Sequence, residues 1–203
     1  EETNLITAYL NKGGDAIILT SYTTEPLPNF ESILSGYGIT LAEGIVVEGD
    51  NNHFMSGTPT YVVPDMNSHD ITASIISSGM PVVIPVGRGL QISDSLKSTV
   101  TIESLLDSTD KSYSKVDVNS TTYTKEKADI DGPFSLGAVI TDSYNEDPAR
   151  IAVYSSWYLI DDSMIRLTGL GNTDIFLNSI NWMIGEGTGL SIPTRSLVPA
   201  SLS

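Results

Sequence analysis

Short apolar runs, each closed at both ends by glycine, proline or polar turn residues, recur along this chain. The first, Ala16-Ile17-Ile18-Leu19-Thr20, follows Gly13-Gly14 and has the composition of a strand buried on both faces of a sheet. Strands that alternate with helices favour an α/β fold with a doubly wound, mostly parallel sheet covered on both faces. Further strands are predicted at 44–48, 81–86, 134–141 and 150–154, and helices at 4–10, 29–36, 69–78 and 174–185.

The length of the chain favours one domain. A chain of 203 residues can bury one sizeable core, and we expect a single α/β domain over residues 1–192. Residues 193–203 contain Pro193 and Pro199 and show no hydrophobic period, which is typical of a linker. Because no run of about 18 apolar residues occurs, we expect neither a membrane span nor a signal peptide within the chain.

Charge and cysteine content exclude several classes of function. The formal net charge of −15 repels phosphate backbones and anionic lipid headgroups, so we expect no nucleic-acid partner. The absence of cysteine excludes disulfides, thiolate metal sites and cysteine nucleophiles, and it leaves the cellular compartment open. His53 and His69 are the only histidines and have no metal-binding spacing, so we predict neither a metal nor a cofactor.

The serines offer one catalytic alternative. Hydrolysis by a serine needs a tight strand-to-helix turn, a histidine within hydrogen-bond reach and an acid that orients this histidine. Ser155 and Ser156 follow a predicted strand, but the G-x-S-x-G signature is absent. Ser68-His69-Asp70 gathers the three residue types, yet adjacent side chains diverge, and a helix start capped by Ser68 is the better interpretation. We therefore predict no catalytic residues and keep a serine-dependent hydrolase as the alternative.

Polar side chains are expected beyond the carboxyl ends of the strands, where open α/β sheets bind ligands. Gly87-Arg88-Gly89 follows a predicted strand, but it lacks the Lys-Ser/Thr of a P-loop and the third glycine of a dinucleotide-binding fingerprint. The mixture of side chains suits a polar or sugar-like ligand; the alternative is a set of ordinary loop residues beside a partly packed tryptophan. The candidate binding residues are Tyr22, Arg88, Asp142, Ser155, Ser156 and Trp157.

Several phrases, read in order, resemble the extracytoplasmic domain of the GldG-like family, the auxiliary component of gliding-motility ABC transport systems. The most specific is GNTDIFLNSINW at 171–182, and together the phrases extend from Thr3 to Pro193. The others are YLNKGG at 9–14, PLPNF at 26–30, YGI at 37–39 leading to GIVV at 44–47, HDIT at 69–72, LLDS at 105–108 and DGPF at 131–134.

This resemblance implies a flavodoxin-like fold, similar to the three-layer sandwich of class I glutamine amidotransferases, with a further strand before the first helix. A cysteine-free chain lacks the thiolate that amidotransferases use, so that activity is rejected. The family implies a non-catalytic accessory domain at the extracytoplasmic face of a bacterial membrane, held by a span outside this chain. The implied partners are an ABC permease and ATPase, with an envelope protein or polysaccharide as a further partner. The alternative is a serine-dependent hydrolase or sugar-processing enzyme on the same fold.

Overall fold

The computed structural model describes residues 1–23, 25–55 and 57–185. In these ranges the chain forms five α-helices, one 3-10 helix and twelve strands, several of them very short. The helices are α1 (Glu2–Leu10), α2 (Pro28–Tyr37), α3 (Ala73–Ser78), the 3-10 helix (Trp157–Ile160), α4 (Asp162–Ile165) and α5 (Asn172–Met183). The strands are β1 (Ala16–Leu19), β2 (Ile39–Leu41), β3 (Ile45–Val47), β4 (Tyr61–Val62), β5 (Asp65–Met66), β6 (Ile84–Pro85), β7 (Leu90–Ile92), β8 (Val100–Asp107), β9 (Tyr113–Lys115), β10 (Ile130–Asp131), β11 (Ser135–Asp142) and β12 (Ala149–Tyr154).

The central sheet has seven strands in the order β1-β12-β11-β7-β2, with β8 also pairing with β11 and β5 pairing with β8. Only β1 and β12 are parallel, whereas every other pair in this sheet is antiparallel. The prediction of a doubly wound, mostly parallel, flavodoxin-like or amidotransferase-like sandwich is therefore wrong.

The reason lies in the connections. A parallel pair needs a crossover of a dozen or more residues, usually a helix, whereas a short turn can only produce an antiparallel hairpin. The turn between Asp142 and Ala149 is too short for a crossover, so β11 and β12 run in opposite directions. No helix separates β8 from β11, and these two strands also pair antiparallel.

Helices cover both faces of the central sheet. On one face, α1 and α2 bury Leu10, Ile33 and Leu34 against strand residues such as Ile140 and Ile151. On the other face, α3, the 3-10 helix and α5 complete a second core. That core includes Ile75, Leu159, Ile175 and Met183 from these helices and Leu106, Leu136, Ala152 and Tyr154 from the strands.

The helix predictions are confirmed for α1, α2 and α5 to within a few residues. Pro28 occupies the first turn of α2, and Gly38 ends it with a φ of +97°, the left-handed conformation that glycine allows. The third helix is shorter than predicted and begins at Ala73. The hydroxyl of Thr72 accepts the N–H of His69 and donates to the carbonyl of Asn67, which holds a tight turn where the helix start was expected.

The polar tract at 107–131 contributes two strands to a second sheet. Its strands β9 and β10 join β3 in a separate three-stranded antiparallel sheet. Within it, the ammonium of Lys115 is buried, 3.1 Å from a carboxylate oxygen of Glu126 and 3.3 Å from one of Asp129. A buried ion pair of this kind leaves no signal in the hydrophobic pattern of the sequence.

Two predictions concern membranes and linkers. The linker predicted at 193–203 lies outside the described residues. Within the described ranges, no helix is both long and apolar enough to cross a membrane.

Candidate functional site

The carboxyl ends of β1 and β12 lie side by side because these two strands are parallel. The N–H of Thr20 donates to the carbonyl of Tyr154 at 2.9 Å, and the N–H of Trp157 donates to the carbonyl of Thr20 at 2.8 Å. The residues that leave the two strands therefore share one edge of the sheet. We call residues 20–22, 85–88 and 155–158 the rim.

A strained loop closes the rim. Val86 has a φ of +50°, which is unusual for a β-branched side chain and costs on the order of 1–3 kcal/mol. The next residue, Gly87, has no space for a side chain, because a Cβ there would lie 2.6 Å from the hydroxyl of Ser155 and 2.9 Å from a methyl group of Ile84. The N–H of Arg88 then donates to the carbonyl of Ser155 at 3.0 Å, which fixes the loop onto β12.

Two hydroxyl groups at the rim are buried and unpaired. Thr20 and Ser155 are almost completely enclosed, and neither hydroxyl oxygen has a hydrogen-bond partner among the described residues. The neighbouring Ser156 is equally buried but donates to the carbonyl of Pro85 and accepts the N–H of Tyr158 at 3.2 Å. A buried polar group without a partner costs about 1–3 kcal/mol, so these two hydroxyl groups lower the free energy of unfolding of the whole domain.

Two aromatic side chains form the solvent-facing part of the rim. The rings of Trp157 and Tyr158 stack with centroids 4.1 Å apart and an angle of 29° between their planes. They remain 42% and 37% exposed. Trp157 is held through its backbone by Thr20, and Tyr158 by the hydroxyl of Ser156. A fixed, half-exposed aromatic pair can contact a partner with little loss of conformational entropy.

The structure brings five of the six predicted binding residues to the rim, which includes Tyr22, Arg88, Ser155, Ser156 and Trp157. The Arg88 side chain nevertheless turns away from it. Its guanidinium donates to a carboxylate oxygen of Glu31 at 2.8 Å and to two carbonyls at the end of β2, those of Leu41 and Ala42. These contacts tie α2 to the sheet, so Arg88 contributes only its backbone to the rim.

Asp142 lies at the opposite end of the sheet. It pairs in register with Ala149, the first residue of β12, because β11 runs antiparallel to β12. Its carboxylate accepts the N–H of Tyr144 at 3.1 Å within the connecting turn. The expectation that Asp142 joins the other five residues was wrong for the same reason as the predicted strand direction.

Neither histidine forms a catalytic pair with a rim serine in the part of the chain that the structure describes. Nδ1 of His53 lies 3.9 Å from the carboxylate of Asp65, and Nδ1 of His69 accepts the N–H of Ile71 at 3.2 Å. The described residues also contain no cluster of three or more histidine or acidic side chains that could hold a metal ion. The rim thus supplies contacts and hydroxyl groups, without an assembled nucleophile and base.

Sequence reasoning did not name several members of the rim as binding residues, among them Thr20, Val86 and Tyr158. Thr20 could have been found as the polar residue that ends the first apolar run, and Tyr158 as the aromatic neighbour of Trp157. The conformation of Val86 has no signal in the sequence, since valine is among the residues least suited to a positive φ.

The fold and the rim define this protein as a mixed α/β domain with a largely antiparallel central sheet and an aromatic edge. No known family model and no curated protein matches the chain. Among solved structures, it is similar to the mmIFT52 N-terminal domain, with 17% identity and a TM-score of 0.59 over 90% of this chain and 70% of that chain. At this level of identity the likeness shows the fold alone.

Proposed function

We propose that this domain is a non-catalytic accessory domain of an ABC-type transport system, and that it binds a partner through the rim. The observation that carries the proposal is the exposed Trp157–Tyr158 stack, fixed on an edge of the sheet beside serines that have no histidine partner among the described residues. The domain acts at the extracytoplasmic face of the membrane, beside the permease and ATPase of the same system.

The rigidity of the rim supports recognition by contact. Trp157 and Tyr158 sit on backbone that is hydrogen-bonded to Thr20 and to the Ser156 hydroxyl, so their orientation is set before a partner arrives. Aromatic residues of this kind are frequent among the few interface positions that carry most of the binding energy, at about 2 kcal/mol or more each. A partner that packs on the stack therefore gains affinity without first ordering the loop.

Charge and sequence support the choice of partner. The net charge of −15 disfavours nucleic acid and anionic lipid, which leaves proteins and uncharged polysaccharides as suitable partners. The phrases that resemble the GldG-like family, above all GNTDIFLNSINW at 171–182, support a transport system of the gliding-motility type. Within that class the permease is the subunit that an extracytoplasmic domain can reach.

Site-specific photo-crosslinking of the full chain, in cells that contain the native system, tests the proposal. A photoreactive phenylalanine analogue replaces Tyr158 in one variant and Tyr144 in a matched control. Tyr144 is 75% exposed and lies in the turn at the opposite end of the sheet. We expect a crosslink to the permease, identified by mass spectrometry, from position 158 and none from position 144.

Equal crosslinking at both positions, or products at position 158 that never contain a transport subunit, would contradict the proposal. The hydrolase alternative makes a different prediction. It requires turnover of an acyl or glycosyl substrate by the purified protein, lost in Ser155→Ala or Ser156→Ala.

A further inference from the structure

Strand β1 has the composition of a central strand but occupies the edge of the sheet. Its four residues, Ala16 to Leu19, are all aliphatic, and its only described pairing is with β12. Parallel strands with aliphatic residues on both faces are normally covered on both sides, whereas natural edges carry charges, prolines or bulges. All four side chains of β1 are only half-buried. Among the described residues, no strand pairs with the outer edge of β1, which carries apolar side chains on both faces of the sheet.

Helix α1 lies beside this edge and has little to hold it. It is nine residues long, and Leu10 is its only buried residue. A helix of this length is marginal in water unless it packs against something. The turn that follows α1 leads directly into β1, and the Tyr9 hydroxyl donates to the carbonyl of Asp15 at 3.0 Å. Leu5, Ile6 and Tyr9 are nonetheless exposed.

Leu5, Ile6 and Tyr9 form an exposed apolar stripe on one face of the sheet, and a second apolar stripe lies on the other face. Asn178 of α5 donates to the carbonyl of Ile71 and to the hydroxyl of Ser74, which places that flank of α5 against α3. Helix α3 follows β5, which is the strand farthest from β1 on its branch of the sheet. The opposite flank of α5 thus faces the β1 side, and it carries the exposed Ile180 next to Leu177 and Ile184.

We propose that two copies of this chain associate through β1 across a two-fold axis, forming one continuous sheet. Residues that face each other in an antiparallel pair must point to the same face of the sheet. The register that satisfies this rule and keeps Asp15 out of the apolar contact places Ile18 opposite Ile18 of the second copy. It also places Ile17 opposite Leu19 and Ala16 opposite Thr20. The α1 helices then meet on one face and the α5 helices on the other.

A second copy suits this surface because the surface is self-complementary. The six large side chains on α1 and α5 are 37–67% exposed, and β1 itself carries no charge. A two-fold axis matches each apolar stripe with its own copy, the arrangement of most soluble homodimers. Antiparallel pairing in this register also places the acidic start of β1, at Asp15, opposite the uncharged Ser21 of the other copy. The two acidic ends therefore remain apart despite the net charge of −15.

Cysteine crosslinking of the purified chain tests the register directly. The chain contains no cysteine, so a single Ile18→Cys substitution introduces one thiol per molecule. Facing residues in an antiparallel pair have Cα atoms about 4.5–5.5 Å apart, within the range that a disulfide spans. The control is Thr40→Cys, an exposed position on β2 at the other edge of the sheet. Under mild oxidation we expect rapid formation of a covalent dimer from position 18 and none from position 40.

Sedimentation of the unmodified chain gives an independent measurement. We expect a dimer at about 100 µM that dissociates on dilution, and a dimer that tightens as salt is raised to about 0.15 M because screening reduces the repulsion between acidic copies. Leu5→Glu changes an exposed residue and should shift the protein to monomer without unfolding it. A monomer at about 100 µM, or a dimer in which positions 18 and 40 crosslink equally, would overturn the proposal.

Discussion

Two adjacent serines at the rim should respond to alanine substitution with opposite signs. Ser155 and Ser156 are both fully buried, yet only Ser156 has hydrogen-bond partners among the described residues. Ser155→Ala removes an enclosed hydroxyl that has no hydrogen-bond partner among the described residues. Ser156→Ala leaves the carbonyl of Pro85 and the N–H of Tyr158 without their partner. We expect the first variant to be more stable than the parent and the second to be less stable.

The magnitudes follow from the two environments. Removal of an unpaired buried hydroxyl raises the free energy of unfolding by about 1–3 kcal/mol. The void left by one oxygen subtracts roughly 0.3 kcal/mol, at about 24 cal/mol for each Å³ of cavity. Ser155→Ala should therefore gain about 1 kcal/mol or more, and Thr20→Val should behave in the same way. Ser156→Ala should lose about 1–3 kcal/mol, since both of its partners are left in the protein interior.

Urea unfolding measured by circular dichroism separates the two variants. A difference of about 2 kcal/mol or more between them corresponds to roughly 4–8 °C in melting temperature for a domain of this size. Both variants keep the same backbone and the same burial, so each controls for the other. Destabilisation by Ser155→Ala of more than about 0.5 kcal/mol would refute the reasoning, because it would mean that the hydroxyl makes a favourable interaction.

Three further predictions concern the core and the second sheet. The hydroxyls of Tyr154 and Ser179 are 2.6 Å apart in the interior, and Ser179 also donates to a helix carbonyl. Ser179→Ala should therefore destabilise the protein by about 1–3 kcal/mol in chemical unfolding, more than Tyr154→Phe, which leaves Ser179 its other partner. Asn172→Ala should cost roughly 3 kcal/mol in the same assay, because the Asn172 amide satisfies both backbone groups of Val83. Burial raises the pKa of Asp129, but hydrogen bonds from two backbone amides and Lys115 outweigh it and hold that pKa below its ordinary value of 3.8. A carboxyl group whose pKa is lowered on folding stabilises the fold at pH values above 3.8, and this stabilisation is lost as pH falls through the folded-state pKa. Asp129→Asn should therefore be less stable than the parent at neutral pH. In acid titrations, the difference in unfolding free energy between the two proteins should disappear below pH 3.8.

The sequence was sufficient to find most of the elements but not the direction of the strands. The apolar run at Ala16–Leu19, the start of α2 at Pro28 and its end at Gly38 depend on local physics, which a single chain displays directly. Strand direction depends on which strands pair across long separations, and the helix-strand alternation favoured the wrong answer. The strands predicted at 134–141 and 150–154 correspond to β11 and β12, which pair as neighbours across a short turn. The shortness of this turn excluded a crossover, and this was the one sign of an antiparallel sheet.

At the candidate site too, the sequence predicted features that are local along the chain but not contacts between distant residues. Ser155, Ser156 and Trp157 were identified because they follow a recognisable strand, and they do lie together at the rim. The structural role of the Arg88 side chain could not be predicted, since its contact with Glu31 joins positions that are distant in sequence. Asn172 is the first residue of α5, yet its side-chain amide binds the backbone of Val83 and does not cap the helix. A residue with several possible hydrogen-bond partners is assigned by tertiary contacts that sequence periodicity does not contain.

The energetic costs of this fold are concentrated at the rim. Three buried side-chain polar atoms lack a partner within the described residues, and two of them, on Thr20 and Ser155, lie there. The strained Val86 is in the same place. Because such features persist where function opposes stability, we expect the Thr20→Val and Ser155→Ala double variant to be more stable yet to crosslink less efficiently from position 158. Crosslinking of the double variant at the parent's efficiency would show that the two unpaired hydroxyl groups play no part in partner binding.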